Sequence, residues 1–243
     1  MADSLLLSTL RLCTFRGETW LTNASGFFFA RDSRLFLVTS RHVLIDEASA
    51  HRPDRIEIEL HTNVDNLTQT RGLSVLLHRQ GQNIWREARD RGGVVDVAVL
   101  EIEPTALPSN VIYFAFTPQH LPLVSTRIEI GRSLLVVGFP LGFHDTLHRM
   151  PVVRHATLAS SFGLRFQGQG YFLTDARTHR GSSGAPVVMR VNQGAQEDED
   201  LPWLLLGVHS SRLDMDTRDQ VKDEALGLNC AWYADVLLPL TEA

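Results

Sequence analysis

Three residues of this 243-residue chain, His42, Asp96 and Ser183, have side chains that together could activate a hydroxyl by moving its proton. Ser183 lies in Thr178-His179-Arg180-Gly181-Ser182-Ser183-Gly184-Ala185-Pro186-Val187-Val188. Flanking glycines and a following proline predict a tight turn that presents a hydroxyl and then enters a buried strand. Such turns are common in ordinary loops, so the chemistry must come from partners elsewhere. His42 sits in Leu37-Val38-Thr39-Ser40-Arg41-His42-Val43-Leu44, where an apolar strand ends and an imidazole can face a cleft. Asp96 heads the run Val94-Val95-Asp96-Val97-Ala98-Val99-Leu100. A carboxylate among valines must find hydrogen-bond donors or a countercharge, because uncompensated burial of an ion costs several kcal/mol. A histidine N–H would suit it. In the order His, Asp, Ser, a serine can attack, a histidine can take its proton and a buried aspartate can fix the histidine tautomer.

The elements that must position these residues read as short strands. Leu10 to Phe15 is a first strand, and Gly26 to Ala30 with Leu35 to Thr39 brackets Arg31-Asp32-Ser33-Arg34 as a hairpin turn. Ile56, Ile58 and Leu60 alternate with polar residues, and 73–77, 97–102 and 134–138 are apolar runs of strand length. The pattern repeats at 152–159, 171–174, 185–191, 203–208 and 227–233. Helical patterning is scarce. About a dozen short strands predict an all-β fold, antiparallel barrels or a sandwich, rather than a parallel α/β sheet. Pro104, Pro108, Pro118 and Pro122 predict an extended connector over about 104–122. The run Glu197-Asp198-Glu199-Asp200 predicts a solvated hairpin tip.

Composition narrows the classes of function. A hydrophobic content of 44% can fill a sizeable core, and no repeat period points to a solenoid or propeller. The formal net charge of −5 argues against a nucleic-acid partner. No apolar stretch reaches the roughly 18 to 20 residues of a membrane span, and the start of the chain lacks the basic residues of a secretory signal. Two distant cysteines, Cys13 and Cys230, do not make a disulfide framework, so a reducing, cytoplasmic setting is expected. The Asn23 and Asn66 glycosylation patterns are then chance matches. His144 and His148 have a zinc-like spacing, but Pro140 and Gly142 make that segment a loop without a cysteine, and no metal is expected. The turn 138–142 lacks the lysine of a phosphate cradle, and no cofactor is expected.

The segments around the three residues resemble the chymotrypsin-like serine proteases, most closely HtrA-type protease domains and glutamyl endopeptidases. Ala24-Ser25-Gly26-Phe27-Phe28 resembles the family's opening strand, Thr39-Ser40-Arg41-His42-Val43 its T-x-x-H-V, and Asp96-Val97-Ala98-Val99-Leu100 its aspartate strand. Gly138-Phe139-Pro140-Leu141-Gly142 is similar to the G-x-P-x-G turn of HtrA-type domains. Thr174-Asp175-Ala176, followed by Gly181-Ser182-Ser183-Gly184-Ala185-Pro186, is similar to their nucleophile loop. The resemblance implies one peptidase domain over 1–243 made of two six-stranded antiparallel β-barrels. The first barrel would span about 8–103 and the second about 123–240, with the site in the cleft between them. It also implies a serine endopeptidase acting on protein or peptide substrates through an acyl-enzyme. Ser183 would be nucleophile, His42 general base and Asp96 its orienting acid, with the N–H groups of Gly181 and Ser183 as the oxyanion hole. An activity limb near pH 6 to 7, the ordinary histidine range, follows from that assignment.

Departures from the family matter too. Ser182 stands where secreted relatives carry an aspartate that pairs with a newly cut N-terminus, so activation by that ion pair is not expected. The chain has no stretch matching the PDZ modules of HtrA-type proteins. Glutamyl endopeptidases place a histidine at the position of His209, in Gly207-Val208-His209-Ser210-Ser211, where it lines the pocket for the residue before the scissile bond. Thr178 occupies the matching pocket position, and Arg177, Arg180 and Arg212 could add positive charge, which together predict cleavage after Glu, Asp or Gln. The reading from a different class is a catalytically silent binding module, or a peptidase whose loops a regulatory protein partner must order.

Overall fold

The computed structural model describes residues 3–191, 200–212 and 227–242, with Arg212 described by its backbone alone. In chain order its strands are β1 (Thr9–Arg16), β2 (Thr19–Arg31), β3 (Arg34–Thr39), β4 (Arg55–His61), β5 (Thr70–Leu76), β6 (His78–Arg79), β7 (Gln82–Asn83), β8 (Trp85–Asp90), β9 (Gly93–Ile102), β10 (Ala115–Phe116), β11 (Ser133–Gly138), β12 (Val152–Thr157), β13 (Tyr171–Thr174), β14 (Pro186–Arg190), β15 (Trp203–Arg212) and β16 (Asn229–Tyr233). They form two main sheets. The first runs β5-β4-β1-β2-β3-β9-β8, with β10 added in parallel to β2; the second runs β12-β11-β14-β15-β16-β13; β6 and β7 make a separate ribbon. Among the described residues, helix is confined to single turns such as Ser4–Leu7, Arg41–Leu44 and Leu237–Leu240, with a few 3₁₀ turns.

The apolar runs are continuous because both faces of each sheet are covered. Along β2, Phe28 enters a core inside the first sheet with Leu37 and Leu100, whereas its neighbours Phe27 and Phe29 face the opposite way and pack with Phe36, Val38, Val97 and Val99. The second sheet divides in the same manner. Val187, Met189 and Leu206 fill its inner core, while Val137, Val188, Leu205 and Val208 join the phenylalanines of the first sheet. Three cores result, and the middle one glues the sheets together. Each side chain of this size contributes about 1.5–3 kcal/mol on burial, so the joint between the sheets is held as firmly as either interior. Leu5 from the first helical turn and Leu237 and Leu240 from the last also enter the middle core.

The all-β fold expected from the sequence is present as two curled sheets, with two differences from the expected pair of six-stranded barrels and their connector. Eight strands join the first sheet among the described residues, not six. The additional pieces include β8, whose Trp-Arg-Glu-Ala-Arg-Asp sequence shows little apolar signal because only Trp85 is buried, and the two-residue β10. The segment over 104–122 is also more than an extended connector. Pro104 and Pro118 each open a 3₁₀ turn, where the fixed φ of proline suits the first position and its missing N–H costs nothing. The hairpin turn at Asp32-Ser33 is observed, with both residues at positive φ (49° and 64°), the conformation of a two-residue type I′ loop. β14 and β15 pair antiparallel, as expected of a hairpin; the acidic run 197–199 lies outside the described residues.

Candidate active site

His42 is placed by the shortest of elements. β3 ends at Thr39, and the chain turns at once into the helical turn Arg41–Leu44. The first N–H groups of a helix lack internal partners, and here the His42 backbone N–H donates to Asp96 Oδ1 at 2.8 Å. Asp96 Oδ2 lies 2.7 Å from His42 Nδ1. Ser210 Oγ donates to the same Oδ2 at 2.5 Å. Three donors therefore converge on a carboxylate whose side chain is 22% exposed, which answers the burial cost inferred from its valine neighbours. A proton on Nδ1, held by the carboxylate, leaves Nε2 of neutral His42 with a free lone pair. Burial works to lower the His42 pKa, but the hydrogen bond and charge of Asp96 outweigh it and hold the imidazole above its ordinary value.

Ser183 is held by a different device. Gly181 and Gly184 adopt φ of 92° and 84°. A Cβ on Gly184 would collide with Ser25 O and Thr39 Oγ1, and one on Gly181 would collide with Phe139 O. Glycine is thus required at both places by backbone and by space. Ser25 of β2 ties the turn down. Its N–H donates to Ser183 O at 2.9 Å, its hydroxyl to Gly181 O at 2.7 Å, and the hydroxyl oxygen accepts from Phe139 N at 3.0 Å. Thr39 Oγ1 donates to Ser25 O at 2.8 Å, and Ser40 Oγ reaches His209 O at 3.1 Å. The Gly181 and Ser183 N–H groups have no hydrogen-bond partner among the described residues. The Ser183 hydroxyl donates to Ser210 O at 3.0 Å and, among the described residues, makes no hydrogen bond with His42.

The three residues singled out in the sequence thus meet at one junction of the two sheets, His42 and Asp96 from the first and Ser183 from the second. The arrangement is a serine-bearing turn beside an acid-oriented imidazole, with two N–H groups next to the hydroxyl that are unengaged among the described residues. Residues 24–194 match the model of the trypsin-like peptidase domain. This chain belongs to that family. A comparison with curated proteins found no match. Among solved structures, the serine endoprotease from Yersinia pestis is similar at 17% identity and a TM-score of 0.55, covering 97% of this chain and 62% of that one. An inactive mutant form of Rv3671c from M. tuberculosis H37Rv is similar at 13% identity and a TM-score of 0.52, covering 97% of this chain and 85% of that one. The peptidase domain therefore spans less than two thirds of the Yersinia chain it matches.

The expected specificity residues of this peptidase domain are placed unevenly. His209 is 2% exposed, and burial, with a smaller contribution from the charge of His42, pushes its pKa down to about 4. Its Nδ1 is buried without a hydrogen-bond partner. Thr178 is buried as well, but its hydroxyl donates to Asn229 Oδ1 at 2.5 Å and is not free for a ligand. Arg177 and Arg180 are exposed at the surface, where they belong to a rim and not to a buried pocket; the Arg212 side chain lies outside the described residues. Ser210 has two roles beyond lining a pocket, a hydroxyl on Asp96 and a carbonyl under the Ser183 hydroxyl. Ser25, Thr39, Ser40 and Asn229 escape a reading of the sequence, since a hydroxyl or amide in a strand carries no signal of which distant backbone it will meet. His144 Nδ1 is engaged by Gly142 O at 2.6 Å and His148 Nδ1 by Asp145 at 2.7 Å. Among the described residues no group of three or more His, Cys, Asp or Glu could hold a metal ion.

Proposed function

We propose that this peptidase domain is a serine endopeptidase. The single observation that carries the reading is the three-donor seat of Asp96, which fixes the imidazole of His42 with Nδ1 toward the acid. His42 Nε2 takes the proton of Ser183 as the hydroxyl attacks the scissile carbonyl, and returns it to the leaving amine; a water molecule then repeats the cycle on the acyl-enzyme. The N–H groups of Gly181 and Ser183 receive the oxyanion, an interaction worth about 10²–10³ in rate per comparable donor. In the resting site the Ser183 hydroxyl leans on the Ser210 carbonyl and swings to His42 on substrate entry. Protein and peptide chains are the substrate class.

The preference for Glu, Asp or Gln before the cut rests on His209. Because its pKa is depressed, its imidazole is uncharged at neutral pH and would recognise an acidic or amide side chain by a hydrogen bond and not by charge. The arginines at the rim add a long-range attraction for acidic chains. Peptide-library cleavage by wild type, Ser183→Ala and His209→Ala tests both levels at once. Expected are cuts after Glu, Asp or Gln by wild type, none by Ser183→Ala, and relaxed preference in His209→Ala. A wild-type preference for Arg or Leu would overturn the pocket assignment. Failure of a fluorophosphonate to label Ser183 with or without substrate would turn the reading toward the silent binding module.

A further inference from the structure

The acid and the nucleophile of this site come from different sheets, so something must hold their relative position. β8 ends at Asp90, six residues before Asp96, and this end is locked to the second half of the molecule. Arg165 Nη1 donates to Asp90 Oδ2 at 2.6 Å. Asp90 Oδ1 is simultaneously taken by the Gly92 N–H at 2.7 Å, so the carboxylate is anchored to its own turn and to the facing segment at once. The fit is close on both sides. A Cβ on Gly170 would meet Asp90 Oδ2 at 2.8 Å and the Trp232 ring at 3.1 Å, and one on Gly92 would meet the Gln169 side chain at 2.7 Å. The Asp90 side chain is 20% exposed, against 52% for Arg165, so the pair is half sheltered from screening.

The segment that Asp90 grips leads toward the nucleophile's sheet. Gly170 O accepts from Tyr233 N at 3.1 Å, and β13, which starts at Tyr171, pairs with β16. β16 in turn pairs with β15, which carries Ser210. On the other side, Gly93 opens β9 and Asp96 follows three residues later, about 10 Å along an extended strand. The Asp90–Arg165 pair and the Ser210–Asp96 hydrogen bond therefore close a loop between the sheets with the catalytic carboxylate on it.

We propose that Asp90 and Arg165 are positioning residues: their ion pair fastens the β8–β9 turn to the second half and so holds Asp96 in register with Ser210 and Ser183. The proposal rests on the serine endopeptidase reading for its effect on rate, but the clasp itself is measurable without turnover. The experiment compares wild type with Asp90→Asn, Arg165→Gln and the double variant Asp90→Asn/Arg165→Gln, with Arg11→Gln as a control that loses an ion pair (to Glu59, 3.2 Å) within the first sheet. Two readouts are taken, the rate of Ser183 labelling by a fluorophosphonate and peptide-level hydrogen exchange over 92–96 and 169–172. Each single variant should slow labelling about two- to fivefold, the range set by a partly exposed ion pair, and should speed exchange in both segments. The double variant should be no worse than the more affected single variant, because both remove the same pair, and Arg11→Gln should match wild type in both. Wild-type exchange in the single variants, or additive losses in the double variant, would overturn the clasp. If wild type itself is not labelled, the endopeptidase reading fails, and the exchange data alone still decide the clasp.

Discussion

The two sides of the junction are built to different standards of completeness. On the first-sheet side both oxygens of the acid are occupied: Asp96 holds the backbone and ring of His42 and receives Ser210 across the gap. On the second-sheet side several polar groups are unsettled. Ser183 rests on a carbonyl, His209 has a buried nitrogen without a partner, and the Gly181 and Ser183 N–H groups point at no acceptor among the described residues. A completed acid–base unit costs nothing to reorganise during reaction, whereas open donors are the ones a substrate can satisfy. The difference separates what is prepared beforehand from what the substrate brings.

The largest expected effects come from removing either side outright. Ser183→Ala and His42→Ala should each lower kcat/KM by about 10⁴-fold or more, and the double variant should be little worse because such residues act as a unit. Additive losses in single-turnover assays would break the picture of one junction. Gly184→Ala ranks next. Its methyl would collide with Ser25 O at a positive φ, so the variant should lose about 3 kcal/mol or more in chemical denaturation and most labelling of Ser183.

His209 predicts a comparable effect that depends on pH. In the unfolded chain it takes a proton near pH 6.5, but in the fold only near pH 4. The unfolded state binds the additional proton between those values, so this contribution is present above about pH 6.5 and is lost as pH falls toward 4, about 3 kcal/mol in all. Denaturation across that range should show the loss in wild type and not in His209→Asn. Ser210→Ala should cost less, about tenfold in kcat/KM, since His42 still holds two bonds to Asp96. The smallest effect is a displacement. Activity appears as His42 loses its proton, and because Asp96 raises that pKa the alkaline-rising limb should lie above the ordinary histidine value of about 6.5. Asp96→Asn should bring down both the rate and the midpoint.

Legibility in the sequence follows the cost of misplacing a residue. Asp96 among valines and His42 at the end of an apolar strand are visible because an ion or an imidazole in such company demands a partner, and glycines at 181 and 184 announce the turn. Val97 and Ala98 show a strand but not that they face different cores, since both faces are apolar. The charged strand β8 looks like surface chain, and it is the pairing with β9 that makes it a strand. Arg165 and Asp90 lie 75 residues apart, and nothing in either neighbourhood marks them as partners. The position of Thr178 suggests a pocket, but its hydroxyl is spent on Asn229, a partner 51 residues away.

Ser25 carries one further consequence, for the order of events as the chain is made. Through its N–H and hydroxyl it grips Ser183 O and Gly181 O, so a residue of the first sheet braces a turn that is synthesised about 160 residues later. The turn gains this brace only when both halves are present, and the later half by itself lacks the Ser25 contacts to Gly181 and Ser183. On the proposed peptidase reading, the site is assembled only after the later half has been made and has met the earlier one.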